Sequence, residues 1–241
     1  VLVAIGLYVR LKLTEAPIFI AALNKPKPKA LPMMEVIVTH FKQFFLGMLI
    51  CMAGYVLFYI MIAFSQIYAK SAPNVSEAGY AMGLGFSPQI FTALLMFSAV
   101  SLAITITISG KYIDKVGRRI WLIWTTVGVA LFGLVVPYFL ENGTTVSLFW
   151  FLIIGMGLIG MGYGPLATFL PELFPTHARY SGASLTYNIA GLFGASVAAI
   201  IALPLNANYG LKGVGIYLTL NAVLSLIGLW FITETRDRQL L

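Results

Sequence analysis

Charge is what this sequence has least of. Its 15 basic and 8 acidic residues make up 10% of 241, against about 25% in ordinary globular domains. A water-soluble fold of this length could not cover its surface with so few. Cysteine is nearly absent as well. Cys51 stands alone, so no internal disulfide framework is available. The two histidines, His40 and His177, have no cysteine or carboxylate at ligand spacing in the sequence, so no metal site and no cofactor are expected. No Ser/His/Asp arrangement with a suitable loop context is present, which argues against an enzyme.

What fills the chain instead is apolar: 60% hydrophobic and 14% aromatic residues, which also excludes disorder. Six segments carry no charged side chain: 43–69, 78–110, 120–140, 142–171, 180–211 and 213–233. About 20 apolar residues cross the hydrocarbon core as a helix, so each segment predicts one span. Barrel strands alternate over about 10 residues, and these segments do not. The expected fold class is therefore an all-α membrane protein built on a six-helix bundle.

The basic residues fall on alternate sides of these spans. Residues 10–42, the 111–119 loop, Arg179 and the tail hold 13 of them, leaving Lys70 and Lys212 for the other side. Basic residues mark the cytoplasmic face, so both ends of the bundle are expected in the cytoplasm. The basic residues sit in short loops, which argues against nucleic acid as a partner; the bilayer is the partner instead. Ahead of the spans, residues 1–20 read as the end of a span that begins upstream and its following cytoplasmic segment. Residues 21–42 read as a linker, K-P-K-P-K followed by an interfacial helix with Met33, Met34, Ile37 and Phe41 on one face. Residues 43–233 form the bundle and 234–241 a cytoplasmic tail.

Two loops carry patterned charge. The first, G-K-Y-I-D-K-V-G-R-R (110–119), combines Gly110 and Gly117, suited to a tight turn, with Asp114, Arg118 and Arg119. A carboxylate at such a mouth can cap the positive N-terminus of a neighbouring helix. The second, P-E-L-F-P-T-H-A-R-Y-S-G (171–182), brings Glu172 and Arg179 to the same face. The expectation is one ion-pair cluster, with Asp114 and Glu172 meeting Arg118, Arg119 and Arg179, that closes the inner mouth in one state and breaks in another.

These loops resemble the second-half signatures of the major facilitator superfamily. The opening R-L-K-L-T-E-A-P-I-F (10–19) resembles the segment that closes its first six-helix half. E-A-P-I-F and A-R-Y-S-G-A-S-L-T-Y-N-I-A (178–190) are most similar to the metabolite:proton symporter family. Sugar porters share the Glu172–Pro175 pattern but usually read P-E-S-P-R at the first motif, from which Thr14, Ala16 and Ile18 depart. The resemblance implies the C-terminal half of a twelve-span carrier in a bacterial inner membrane, working by alternating access with an N-terminal six-span half. It implies a small polar solute, such as an organic acid, betaine or amino-acid-like metabolite, and protons as the coupling ion. A sugar-porter-like carrier and an inactive truncated fragment are the alternatives.

Polar side chains inside spans are costly in lipid and mark candidate solute contacts. They are Tyr55, Tyr59 and Gln66 in the first span, Gln89 in the second and Tyr163 in the fourth. The fifth offers Asn188 beside Thr186 and Tyr187. Tyrosines at these depths serve interfacial packing equally well. No Asp, Glu, Lys or Arg lies within the six segments, so a proton-carrying group is expected in the other half. Residues 155–160 spell G-x-G-x-x-G inside an apolar run, where a nucleotide loop is excluded; close helix packing is expected there and on to Gly164. Pro165 is expected to break the fourth span near its inner end.

Overall fold

The computed structural model describes Tyr8 and residues 32–234. The expected end of an upstream span, the K-P-K-P-K linker and tail residues 235–241 lie outside the described residues, apart from Tyr8. A short helix α1 (Pro32–Thr39) leads at His40 into α2 (Phe41–Lys70). Then follow α3 (Pro88–Val116), α4 (Arg118–Glu141) and α5 (Thr145–Glu172). The last helical stretch, Arg179–Phe231, has 53 residues. Unbroken it would run about 80 Å, far beyond the hydrocarbon core of about 30 Å. Gly210 interrupts it with φ 67° and ψ −170°, a backbone conformation open to glycine. The stretch is thus two helices, α6 (179–209) and α7 (211–231), and the described residues hold six crossings.

Local sequence explains where the helices begin. Pro88 occupies the first turn of α3, and the Ser87 hydroxyl accepts the Ile90 N–H at 3.4 Å. Thr144 caps α5 by accepting the Ser147 N–H at 3.2 Å. The 71–87 loop is fastened to the α6–α7 turn. Ser76 donates to the Ala207 carbonyl at 2.7 Å and Asn206 to the Ala81 carbonyl at 3.1 Å.

Two buried clusters hold the bundle. One, at the Lys70 end, surrounds Phe64, Phe91, Phe132 and Phe151. The other, at the Arg118 end, joins Val36 of α1 to Leu170, Phe174, Ala178 and Leu229. The outer surface is apolar: Met96, Trp124, Ile200 and Trp230 are all 70% exposed or more, as lipid contact requires. Met33, Met34, Ile37 and Phe41 also remain exposed while Val36 is buried.

Helices approach closely where side chains are small. A Cβ on Gly160 would stand 2.1 Å from Thr105 Oγ1, and one on Gly164 2.5 Å from Ser109 Oγ, so α5 lies directly on α3. Ser225 of α7 enters the backbone ladder of α2. Its hydroxyl donates to the Leu49 carbonyl at 2.6 Å and accepts the Ala53 N–H at 3.0 Å.

Two expectations need correction. Residues 110–116 do not form a loop: α3 runs through them, Gly110 is exposed with no neighbour near its Cβ position, and the turn is confined to Gly117. A helix of 29 residues spans about 43 Å, so its charged last turns can stand clear of the hydrocarbon core. Pro165 does not break α5, which continues to Glu172. A proline leaves the carbonyl four residues earlier without its helical donor. Here Trp121 of α4 supplies one, its indole N–H reaching the Met161 carbonyl at 2.9 Å.

Candidate functional site

A cavity of about 280 Å³ lies between α2, α3, α4, α5 and α6. Its walls are mostly aliphatic, with a few polar side chains among them. Tyr55 sits midway along α2, where its ring lies against Gly191 and Gly194 of α6. That notch sets the Tyr55 ring 4.9 Å from the Tyr187 ring, at 49°. Tyr163 of α5 lines the same cavity as these two rings. Tyr163 is 51% exposed and opens the cluster outward. Thr125 and Thr126 also line the cavity but donate to carbonyls of their own helix, Trp121 at 3.0 Å and Leu122 at 2.7 Å. The cavity thus offers three phenols and no formal charge, a surface suited to the weakly hydrated part of a small solute.

Of the sequence candidates, Tyr55 and Tyr163 line this cavity; Tyr59, Gln66, Gln89 and Asn188 do not. Tyr59 donates to the Ala199 carbonyl at 3.3 Å, joining α2 to α6. Gln66 lies near the end of α2, and Gln89 is exposed in the first turn of α3. Asn188 is exposed and bonds the Ser184 carbonyl at 2.8 Å. Its neighbour Tyr187 takes the inward position. One residue step turns a helix by about 100°, and only the crossing with α2 decides which of the two faces in.

At the opposite end from Lys70, Arg118 joins two helices. Its guanidinium pairs with Glu172 at the end of α5 and, at 3.5 Å, with Asp114 on its own side. Arg118 and Glu172 are each 16% exposed and Asp114 is 72% exposed, so the Glu172 pair is the sheltered one. The expected five-residue cluster is narrower than the sequence implied. Arg119 turns to α7, donating to the Leu229 carbonyl at 2.7 Å and the Trp230 carbonyl at 3.1 Å, where it complements the helix C-terminus. Arg179 forms no ion pair among the described residues, and its Nε is buried without a hydrogen-bond partner. Glu172 Oε2 is buried and unpartnered too.

The carboxylate that caps α4 is not Asp114 but Glu234. Its two oxygens accept the N–H groups of Arg118 at 3.1 Å and Arg119 at 3.0 Å. Gly117, at φ +102°, makes the turn that presents them. Glu234, expected to open the tail, therefore belongs to the bundle. The histidines also prove to be neighbours. Ligand atoms of Glu35, His40 and His177 lie within 4.8 Å of one another, although the two histidines are far apart in the chain.

Comparison with known proteins gives this bundle a family. Residues 81–241 match the family model described as sugar (and other) transporter. The chain belongs to this family, within the major facilitator superfamily. It is 88% identical over its whole length to a Haemophilus influenzae protein named for metabolite transport, 54% of which it covers. It is 39% identical to the inner membrane metabolite transport protein YhjE of Escherichia coli, again along its whole length and over 53% of that protein. The proline/betaine transporter of Escherichia coli K12 is 25% identical over 98% of this chain and 47% of its own length. The chain thus spans about half the length of the curated relatives it matches. No solved structure matches it significantly.

Proposed function

We propose that this chain is the C-terminal six-helix half of a secondary carrier for a small polar metabolite, and that the solute binds where the Tyr55–Tyr187–Tyr163 cluster meets a second six-helix half. The observation that carries this reading is the tyrosine-lined cavity at mid-depth in a bundle of a transporter family. Aromatic faces attract cationic and quaternary ammonium groups, which suits the ammonium end of a betaine or amino acid. Names of the more distant relatives agree with that chemistry. The carboxylate end of such a solute finds no cationic side chain in the six apolar segments; its partner, and a titratable group for proton coupling, belong to the other half in this reading.

The Arg118 face lies in the cytoplasm on the 13-to-2 distribution of basic residues, which also puts the C-terminus there. The Arg118–Glu172 pair then latches α4 to α5 at the inner mouth. The unpartnered Glu172 Oε2 and Arg179 Nε are free for partners in another state of the cycle. A half of this kind works by rocking against its partner half around a site near the midplane.

The test is a chimaera in which this chain replaces the matching half of the 88%-identical Haemophilus protein. It is reconstituted in proteoliposomes and assayed with labelled proline, glycine betaine and dicarboxylic acids under an imposed proton gradient. Uptake of one class, dependent on the gradient and weakened by Tyr55→Ala, supports the reading. Uptake of none, from vesicles in which the native relative transports, contradicts it.

A further inference from the structure

We propose that Glu35, His40 and His177 form a binding site for a borderline divalent transition metal of the Zn²⁺ class, one that clamps α1 to the α5–α6 loop. Three separate pieces of backbone deliver the ligands. Glu35 is on α1. His40 sits at the corner between α1 and α2, where its N–H donates to the Val36 carbonyl and its carbonyl accepts the Phe44 N–H, each at 3.0 Å. His177 belongs to the turn closed by the Ala178 N–H and the Pro175 carbonyl at 3.0 Å. Beneath them Val36 is buried in one cluster with Phe174 and Ala178. The frame is therefore packed independently of any ion, as a specific site requires.

The donor set points to the metal class. Two imidazoles and one carboxylate suit Zn²⁺, Co²⁺ and Ni²⁺ over Mg²⁺ and Ca²⁺, which prefer all-oxygen shells. Ligand atoms in a tetrahedral shell with bonds of about 2.0–2.1 Å stand about 3.3 Å apart. The three side chains already keep theirs within 4.8 Å, so small rotations are enough. One contact is closer than a metal shell allows: His177 Nε2 lies 2.6 Å from Glu35 Oε1, a hydrogen-bonded pair. An ion would take the place of the shared proton and release it, and its fourth position would stay open to water. Glu35 and His40 are half-buried and His177 is exposed, so the ion can enter from solvent.

The experiment uses the full chain, purified in detergent micelles with a tag free of histidine, and titrated with Co²⁺ while its visible absorption is followed. We expect a four-coordinate Co²⁺ spectrum saturating at one equivalent, displaced by Zn²⁺ and unaffected by excess Mg²⁺. His40→Ala and His177→Ala should each weaken binding about tenfold or more. His177→Cys should keep the site and add a sulfur-to-cobalt charge-transfer band, and this readout stands even if an alanine variant fails to fold. Absence of a spectrum in the native chain, equal affinity in folded alanine variants, or a cysteine variant lacking the new band would each overturn the site, leaving only the Glu35–His177 hydrogen bond.

Discussion

The carboxylate of Glu234 fills the space that a side chain at Gly117 would need. A Cβ there would lie 2.9 Å from Glu234 Oε2. The same carboxylate receives the first two N–H groups of α4, from Arg118 and Arg119. One glycine thus serves the turn, at φ +102°, and the access of the cap. Glu234→Gln should lower stability by about 1 kcal/mol, as loss of a charged N-cap does. Gly117→Ala combines backbone strain with displacement of the cap and should cost about 1–3 kcal/mol. Thermal unfolding of the purified chain in micelles reads both, and the glycine variant should melt lower.

Ser225 supplies a second, independent test. Its hydroxyl stands between the Leu49 carbonyl and the Ala53 N–H, and is fully buried. Ser225→Ala removes the bridge and should cost about 0.6–2 kcal/mol, the range of interhelical hydrogen bonds in membranes. Ser184→Ala on α6 is the control. It disturbs only the exposed Asn188 contact and should leave the melting temperature unchanged.

The latch should read out in transport. In the chimaera, Arg118→Gln and Glu172→Gln each remove one side of a sheltered pair. Each should lower initial uptake by about 5- to 150-fold, corresponding to a coupling of about 1–3 kcal/mol between mouth and site. Membrane levels should be unchanged. The double variant should lose little beyond the single ones, since both act on one contact. Asp114→Asn, at an exposed contact of 3.5 Å, should have the smallest effect.

The cavity separates two groups of sequence candidates. Tyr55→Ala and Tyr187→Ala should raise KM for the solute, because each removes an aromatic face from the cavity wall. Gln89→Ala and Asn188→Ala should leave KM unchanged, since neither side chain reaches the cavity. Initial rates over a range of solute concentrations make the comparison.

Much of the fold is legible in the sequence because lipid imposes one rule, that long uncharged runs become helices. The gaps between runs mark where the spans end, and Lys212 lies beside the break at Gly210. Residues 110–116 read as a loop because their charges suggest solvent, yet a helix carries Lys111, Asp114 and Lys115 beyond the hydrocarbon core without unwinding. Pro165 reads as a break because the donor that compensates it, Trp121, is distant in the chain. The same holds for the site. Tyr55 is visible as a polar side chain in an apolar run. Its partner Tyr187 cannot be chosen over Asn188 without the Gly191–Gly194 notch that sets the crossing. Glu234, His40 and His177 carry no local pattern at all; only tertiary packing brings them to their partners.

We propose that the six helices cross the membrane with the Arg118 face in the cytoplasm. Cys51 is buried and is the sole cysteine, so a Cys51→Ser background permits single-cysteine labelling at exposed Lys115 and Lys212. In intact cells, a membrane-impermeant maleimide should modify Lys212→Cys directly and Lys115→Cys only after permeabilisation. Labelling of both positions from the same side would contradict the account.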